Sequence, residues 1–205
     1  MWGGNSRADE RKNEQSHDKV AHVHPPQLPS SWHSKRLSVT DSTVAELDDL
    51  QTIYDACAYI GEWCGPDTTI KGTEMRDALA HKNLPPHGKK NAHRVQTIRT
   101  ENETIIGYLL LYHGFPDTRT FWIATLAIHP VHQKKQYGKE VIEGLTHEIQ
   151  ILKKYAYIGG CVGIKNWPAL RFWIQNGFNK ILKFDGDTTY AADAFAELWL
   201  VKEIA

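Results

Sequence analysis

A nine-residue apolar run that stops at a polar, basic loop constrains this sequence more than any other feature. Residues 120–128, TFWIATLAI, are almost all apolar or small, so we expect a strand that is buried on both faces of a sheet. His129 and Pro130 end the run, and an amphipathic helical pattern starts at about Tyr137. The stretch between them is HPVHQKKQ, with two adjacent lysines. A strand, a basic loop and a helix N-terminus can together bind a phosphate, although a solvated basic turn has the same sequence.

The segments around this unit predict further strands and helices. Before it, the patterns predict a strand and helix starting near Leu37 and stopped by Gly65-Pro66, a helix over 73–81, and strands over 93–100 and 104–115. After it, they predict a helix over 137–154, a strand over 157–164, a helix over 167–176, and strands over 178–184 and 195–201. This order predicts an α+β fold with a central mixed, mostly antiparallel sheet flanked by helices. The one parallel crossover would join the two most buried strands, 120–128 and 157–164.

Composition indicates one folded domain and limits the partners. With 205 residues and 41% hydrophobic content, the chain can bury one ordinary core, which we assign to residues 36–205. Residues 1–35 are polar and without a sustained period, so we expect a disordered or loosely docked tail. Basic and acidic residues balance at 24 each, which argues against a general nucleic-acid binder. No apolar run approaches the roughly 20 residues that span a bilayer, so we expect no membrane partner.

Cysteines and histidines give no metal or disulfide pattern. The three cysteines, Cys57, Cys64 and Cys161, are odd in number and form no CxxC pair. With no basic and apolar leader at the N-terminus, they favour a reducing, cytoplasmic setting. The tail histidines lack the carboxylates or cysteines that would complete a ligand set, so we expect no metal; they are His17, His22, His24 and His33.

Two motifs together resemble one enzyme family. The strand, the His-Pro pair and Gln133 to Gly138, followed by an amphipathic helix, resemble motif A of the GNAT superfamily, usually Q/R-x-x-G-x-G/A. Residues 166–178, NWPALRFWIQNGF, resemble its motif B, usually N-x-x-A-x-x-hydrophobic-Tyr-x-x-x-G-F. The resemblance covers about residues 37–204. It implies a GNAT-like fold and an N-acetyltransferase that uses acetyl-CoA as cosubstrate.

The resemblance also implies which residues contact the coenzyme. The backbone of Leu126, Ala127 and Ile128 would lie along the pantetheine arm. Asn166 would either approach that arm or only cap its helix, since Asn is a good N-cap and Pro168 sits in the first turn. Phe172 and Trp173 would be near the thiol. Backbone N–H groups of the loop would hold the pyrophosphate, from Gln133, Lys134, Lys135, Gln136, Tyr137, Gly138 and Lys139.

Two positions depart from the family pattern. Gln136 stands where the first loop glycine is usual, so its side chain either crowds the pyrophosphate or points outward. Trp173 stands where motif B often has a tyrosine, the general acid for the leaving thiolate. Indole N–H donates hydrogen bonds but is no acid at neutral pH. Another group or water would then protonate the thiolate, or the protein would not catalyse.

The residues suggest candidates for proton transfer without fixing them. An amine that attacks a thioester must first lose the proton of its ammonium form. His113, at the end of a predicted strand, and Asp117, in the turn beside it, are the candidate catalytic residues. A histidine at a strand end and an aspartate after Pro116 are also common without any catalytic role.

These observations favour an N-acetyltransferase that acts on a primary amine of a small molecule or peptide. We expect the acceptor to enter between the first helices, the turn at 115–117 and the C-terminal strands, with a monomer or homodimer as the assembly. The alternative is a non-catalytic acyl-CoA-binding module on the same scaffold. A dinucleotide-binding fold is disfavoured, because no GxGxxG follows the first strand.

Overall fold

A computed structural model describes residues 27–64 and 72–204 of the chain. Eight strands form one sheet: β1 (Ser31–His33), β2 (Leu37–Asp41), β3 (His93–Thr100), β4 (Ile105–His113), β5 (Thr120–Ile128), β6 (Tyr157–Gly163), β7 (Lys180–Gly186) and β8 (Ala196–Glu203). The helices are α1 (Leu47–Ala56), α2 (Gly61–Cys64), α3 (Glu74–Leu79), α4 (Tyr137–Ile151) and α5 (Trp167–Gln175). Within these ranges, no helix has both the length and the apolar character that crossing a membrane requires.

The sheet is antiparallel throughout except at one pair of strands. Its order is β1-β2-β3-β4-β5-β6-β8-β7, and only β5 and β6 run parallel. Helix α4 makes the crossover between these two strands, as βαβ connections do. The predicted α+β class and the single parallel pair are therefore confirmed.

Helices cover the two faces of the sheet with separate apolar clusters. On one face, α1 and α3 pack Leu50, Ile53 and Met75 against Tyr108 and other residues of β3 to β5. On the other face, α4 buries the stripe predicted from its period, Val141, Ile142, Leu145 and Ile149. Helix α5 packs against the α4 side as well. Helices therefore lie on both faces of the sheet beside β5 and β6.

Most element bounds follow the sequence patterns closely. The strands predicted over 93–100 and 120–128 coincide with β3 and β5. The helix expected from the 40s to Trp63 is broken, because α1 ends at Ala56 and a 3-10 turn over Ala58–Ile60 precedes α2. Gly65-Pro66, the predicted stop, lies outside the described residues.

The sheet begins earlier in the chain than expected. Trp32 of β1 pairs opposite Val39 of β2 and keeps only 3% of its surface exposed. Its indole N–H donates to Oε1 of Gln96 at 3.0 Å, and its ring covers Gly144 of α4, where an added Cβ would lie 2.6 Å from the ring. Residues 28–33 of the predicted tail therefore belong to the folded domain, which corrects the boundary expected at residue 36. Residues 1–26, with three of the four tail histidines, lie outside the described ranges.

Candidate active site

Strands β5 and β6 separate partway along their length. They pair only from Thr120 to Ile123, opposite Tyr157 to Gly160. Ala124 is an extra residue in β5, because Leu110 lies opposite Thr125 while Leu111 lies opposite Ile123. Such a bulge bends the strand that carries it. Beyond it, β5 keeps only β4 as a neighbour, and Ala124 is exposed in the middle of a largely buried strand.

The separated part of β5 turns backbone groups into the gap. The N–H of His129 donates to the carbonyl of Ile106, which precedes β4's midpoint, at 2.8 Å. The carbonyl of Ile128 instead accepts from Nε2 of Gln133 at 2.9 Å, on the side away from β4. Backbone groups alternate in direction along an antiparallel strand, so the N–H and C=O of Leu126 also face the gap. An extended ligand can add to this edge as a further strand would.

The loop after β5 has the shape of an anion-binding turn. Lys134 and Gln136 adopt left-handed backbone conformations, with φ of 60° and 68°. Gln136 is the N-cap of α4, so the N–H groups of the first helical turn are unpaired and open to a ligand. A glycine would take this conformation freely, whereas a glutamine costs about 1 kcal/mol more. Gln136 therefore keeps the loop in the conformation that the usual glycine would allow.

An arginine from the β1–β2 turn holds this loop. Arg36 pairs with Glu140 in the first turn of α4, through Nη2 to Oε2 at 2.7 Å. Its Nη2 also donates to the carbonyl of Lys135 at 3.2 Å, and its guanidinium lies 4.6 Å from the ring centre of Tyr137. Ser34 Oγ donates to Glu140 at 2.7 Å. Ser34, Arg36 and Glu140 form what we call the clamp, which is attached between the two left-handed residues at Lys135 and just after them in the first turn of α4.

The gap and the loop open into a single cavity of about 680 Å³. Beside β5 and the loop, it is walled by the 3-10 turn and α2 on one side and by α5 on the other. The lining residues are Tyr59, Ile60, Trp63, Leu126, Ile128, His132, Gln133, Lys134, Gln136, Tyr137, Gly138, Lys139, Asn166, Pro168, Ala169, Phe172, Gln175 and Asn176. The cavity has the size of a ligand site and brings the lysines together with apolar walls.

Helices α4 and α5, which both border the cavity, meet at a glycine. An added Cβ on Gly138 would lie 3.1 Å from the ring of Phe172, so only glycine allows this approach without a shift. At the start of α5, Oδ1 of Asn166 accepts from the N–H of Ala169 at 3.1 Å. Asn166 thus caps α5 and also lines the cavity, so its position is compatible both with capping and with contact to a ligand.

The structure gathers most of the predicted coenzyme residues, with three exceptions. Ala127 is buried against the α1 and α3 cluster, and Lys135 does not line the cavity, although its carbonyl is bound by Arg36. Trp173 packs edge-on to Phe178, with ring centres 4.7 Å apart, as part of the core. The position where a tyrosine is usual is therefore occupied here by a packing residue that does not border the cavity.

Tyr59 and Trp63 form a wall of the cavity that neither sequence motif includes. The two rings contact each other edge-on with centres 5.8 Å apart, and the hydroxyl of Tyr59 accepts from Gln133. Their spacing of four residues in an otherwise irregular segment is the one sequence signal that links them.

His113 lies away from the cavity. It pairs opposite Phe121, five residues before Leu126, which is about 17 Å along β5. Its Nδ1 is 2.8 Å from the hydroxyl of Tyr155, and its Nε2 is buried without a partner among the described residues. Burial, with lesser contributions from Lys154 and Arg94, lowers the pKa of His113 to about 4. It is a neutral histidine packed beneath the end of α4.

Asp117 organises the turn between β4 and β5. Its Oδ1 accepts from the backbone N–H of Arg119 at 2.7 Å, and the hydroxyl of Thr120 lies 3.3 Å from its carboxylate. These are the bonds of an Asx-type turn, which is the other role the sequence allowed. Asp117, like His113, is not among the residues that line the cavity.

Comparisons with known proteins agree with this geometry. The sequence profile of the Acetyltransferase (GNAT) family matches residues 48–178, more than half of the chain. The chain belongs to the GNAT family of acetyltransferases. Among curated protein sequences, none matches it.

Solved GNAT structures share its fold at low sequence identity. RimL, a ribosomal L7/L12 alpha-N-protein acetyltransferase in complex with coenzyme A, is 13% identical with a TM-score of 0.65, over 86% of this chain and 97% of that one. A GNAT-family acetyltransferase from Bacillus anthracis is 12% identical with a TM-score of 0.64, covering 85% and 98%. A spermidine N-acetyltransferase chimera from Vibrio cholerae and hSSAT is 16% identical with a TM-score of 0.63, covering 82% of this chain and 95% of that one. The GNAT assignment rests on the profile match, and these structures support the fold.

Proposed function

We propose that this protein transfers the acetyl group of acetyl-CoA to the primary amine of a small molecule or peptide. One observation carries the proposal: the open edge of β5 leads directly to a helix N-terminus with free N–H groups, inside one cavity. An extended amide-bearing arm matches the first part, and a pyrophosphate matches the second. Two structures with this fold hold these molecules: RimL is in complex with coenzyme A, and an acetyltransferase from Salmonella typhimurium is bound to acetyl-CoA.

Residues of the loop, β5 and α5 bind different parts of the coenzyme. Backbone N–H groups of the first turn of α4 bind the pyrophosphate, and the ammonium groups of Lys134 and Lys139 add charge at the cavity wall. Leu126 hydrogen-bonds the pantetheine arm along the β5 edge. Phe172 and Ala169 enclose the arm on the α5 side, where Asn166 keeps the helix start in place.

The chemical step follows from placing an amine against the thioester carbon. The acceptor's nitrogen forms the new C–N bond, and the C–S bond to coenzyme A breaks. The substrate ammonium gives up two protons in total: one goes to the departing thiolate and one to solvent. Because a thiol has a pKa near 8.5, the thiolate needs little help to leave, and a tyrosine at position 173 is not required.

The position of Trp173 favours the alternative function, a module that binds acyl-CoA without turning it over. Trp173 leaves the cavity without the family's usual proton donor, and neither His113 nor Asp117 lines it. Under this alternative the coenzyme binds with equal affinity, but no free thiol appears in the presence of any amine.

Calorimetric titration with CoA and acetyl-CoA, followed by thiol release with an amine panel, tests both functions. Binding with amine-dependent thiol release supports the transferase. Binding without release from any amine supports the module. No binding of either coenzyme would overturn the proposed site.

A further inference from the structure

The face of the sheet opposite α4 and α5 carries a second group of side chains at the point where β5 and β6 part. Residues in register on neighbouring strands point to the same face. Trp122 lies opposite Gly159, Cys161 opposite Trp199, and Gly163 opposite Glu197. One face of β5, β6 and β8 therefore presents Trp122, Cys161, Trp199 and Glu197 together.

Three rings form a continuous aromatic wall on this face. The centres of Trp122 and Trp199 are 5.1 Å apart, and Phe115 lies 5.2 Å from Trp122 and 5.5 Å from Trp199. Trp122 is buried, whereas Phe115 and Trp199 are partly exposed. Trp122 sits one residue before the last β5–β6 pair, so the wall begins where the gap begins.

Glycines in β6 make room for this arrangement. A Cβ on Gly159 would lie 2.8 Å from the ring of Trp122, so the ring rests directly on the strand. A Cβ on Gly163 would lie 3.0 Å from the carbonyl of Trp63 and 3.3 Å from the sulfur of Cys64. β6 therefore has no side chain beneath the aromatic wall or beneath α2, whose Trp63 lines the cavity.

A carboxylate stands beside the rings. Oε1 of Glu197 accepts from the indole N–H of Trp199 at 2.9 Å, and Glu197 lies close enough to the Cys161 thiol to contribute to its raised pKa, after burial. Lys183 and Asp185 lie on the same face and bond to each other at 2.7 Å, and Lys180 and Glu203 form a second ion pair on this face farther along the strands. Nζ of Lys183 lies 4.8 Å from the ring centre of Trp199, so this ring already accepts a primary ammonium.

We infer that this face is the acceptor site, and that it selects a primary amine carried on an aromatic body. The inference rests on the proposed function, because the thioester would lie where β5 and β6 part, and the aromatic wall begins there on the face opposite α4 and α5. The amine's ring stacks on Phe115 and Trp199, and Glu197 holds its ammonium. Small hydrophilic amines lack the ring, and amino acids bring a carboxylate toward Glu197.

The test compares 2-phenylethylamine with ethanolamine and phenylalanine as acceptors. We expect kcat/KM for 2-phenylethylamine to exceed that for ethanolamine by about a hundredfold, the discrimination that an apolar pocket provides. Phenylalanine should be the poorer aromatic substrate, because its carboxylate would face Glu197. Equal values for 2-phenylethylamine and ethanolamine would overturn the inference.

Matched variants locate the selectivity. Trp199→Ala removes the ring that stacks on the amine and the donor that holds Glu197, so kcat/KM for 2-phenylethylamine should fall about tenfold more than kcat/KM for ethanolamine, while Trp199→Phe keeps much of the preference. Phe184→Ala, which removes an exposed ring from the opposite face of neighbouring β7, serves as the control and should change neither value. Glu197→Gln should weaken both amines about tenfold, with Glu203→Gln on the same strand as its control.

Direct binding separates this inference from the proposed function. 2-Phenylethylamine is titrated against free and CoA-saturated protein, with tryptophan fluorescence as the readout, and CoA affinity is measured for every variant. A tryptophan signal that disappears in Trp199→Ala, with CoA affinity unchanged, supports the site. CoA binding with no aromatic preference overturns the site alone, whereas failure to bind CoA overturns the proposed function.

Discussion

The proposed coenzyme side and the proposed acceptor side of the gap between β5 and β6 are built in different ways. The coenzyme side consists of backbone groups from one continuous stretch, β5 through the first turn of α4, and needs side chains only to hold their shape. The acceptor side consists of side chains from separate segments, with Phe115, Trp122, Glu197 and Trp199 as its main members. The coenzyme side thus depends on local backbone conformation, and the acceptor side depends on tertiary packing. Substitutions should affect the two sides independently.

The largest expected effect comes from Gly138. Gly138→Glu puts a side chain against Phe172 and a carboxylate at the pyrophosphate, so we expect CoA affinity to fall by more than about a hundredfold. Gly138→Ala is the matched control, because its Cβ needs a shift of only a few tenths of an ångström and should cost about 1 kcal/mol. Calorimetry with CoA measures both. Unchanged affinity in Gly138→Glu would show that the coenzyme binds elsewhere, and the comparison of the two sides would then fail.

A second large effect is expected in stability. Trp32→Ala removes a buried ring from β1, opens the space above Gly144 and leaves Gln96 without its donor, so unfolding free energy should fall by about 3–5 kcal/mol. Urea denaturation measures the loss, with Trp167→Ala, an exposed tryptophan of α5, as the control. A loss below that of the control would show that β1 contributes nothing to the fold.

The clamp should have an intermediate effect that is confined to the coenzyme side. Arg36→Ala frees the Lys135 carbonyl and leaves the largely buried Glu140 without its cation, so CoA affinity should drop about tenfold. Arg94→Ala breaks a comparable pair with Asp41 in the β2–β3 region and should leave CoA affinity unchanged.

The same clamp can be tested for its effect on backbone strain. If Arg36 holds Gln136 in its left-handed conformation, then adding Gln136→Gly to Arg36→Ala should restore most of the lost affinity, because glycine adopts that φ freely. In the otherwise native protein, Gln136→Gly should change affinity little. Equal effects of Gln136→Gly in both backgrounds would show that the clamp and the strained residue are uncoupled.

The smallest effect at neutral pH concerns His113. Its pKa is about 4 in the folded protein against about 6.5 when unfolded, so the unfolded chain binds more protons between these values. Stability should therefore fall as the pH drops from about 6.5 toward 4. His93, whose pKa burial also lowers to about 4, adds a second contribution of the same sign.

His113→Phe isolates that contribution and tests the histidine's part in proton transfer. The variant should lose less stability between pH 7 and pH 5, by about 2 kcal/mol, in denaturant titrations. It should also keep the acetyl transfer rate at neutral pH, because His113 does not line the cavity. A collapse of kcat with an intact fold would instead place His113 in the reaction.

The same division between local and tertiary features separates what the sequence predicted from what it did not. The bounds of β3 and β5, the basic loop and the cap at Asn166 depend on neighbouring residues, and the patterns indicated each of them. β1 was missed because three residues around a single tryptophan give no periodicity. Its place depends on Gln96 and Gly144, which lie far along the chain.

Side-chain direction was the other quantity that the patterns left undetermined. Trp173 occupies the motif position of a tyrosine but packs on Phe178. His113 ends a strand as predicted, yet its ring points beneath α4 toward Tyr155 rather than toward solvent. Both outcomes depend on which helix covers which face, and no local pattern around either residue records this.

The clamp also ties coenzyme affinity to the edge of the sheet. Arg36 follows β1 by three residues and reaches Glu140, 104 positions later. With the coenzyme bound at the loop as proposed, its binding and the docking of β1 would be thermodynamically linked, and the linkage would be reciprocal. A peptide that displaced β1 from β2 would weaken coenzyme binding by some factor, and saturating coenzyme would resist that peptide by the same factor. β1, an edge strand whose residues do not line the cavity, would thus influence how tightly the coenzyme binds there.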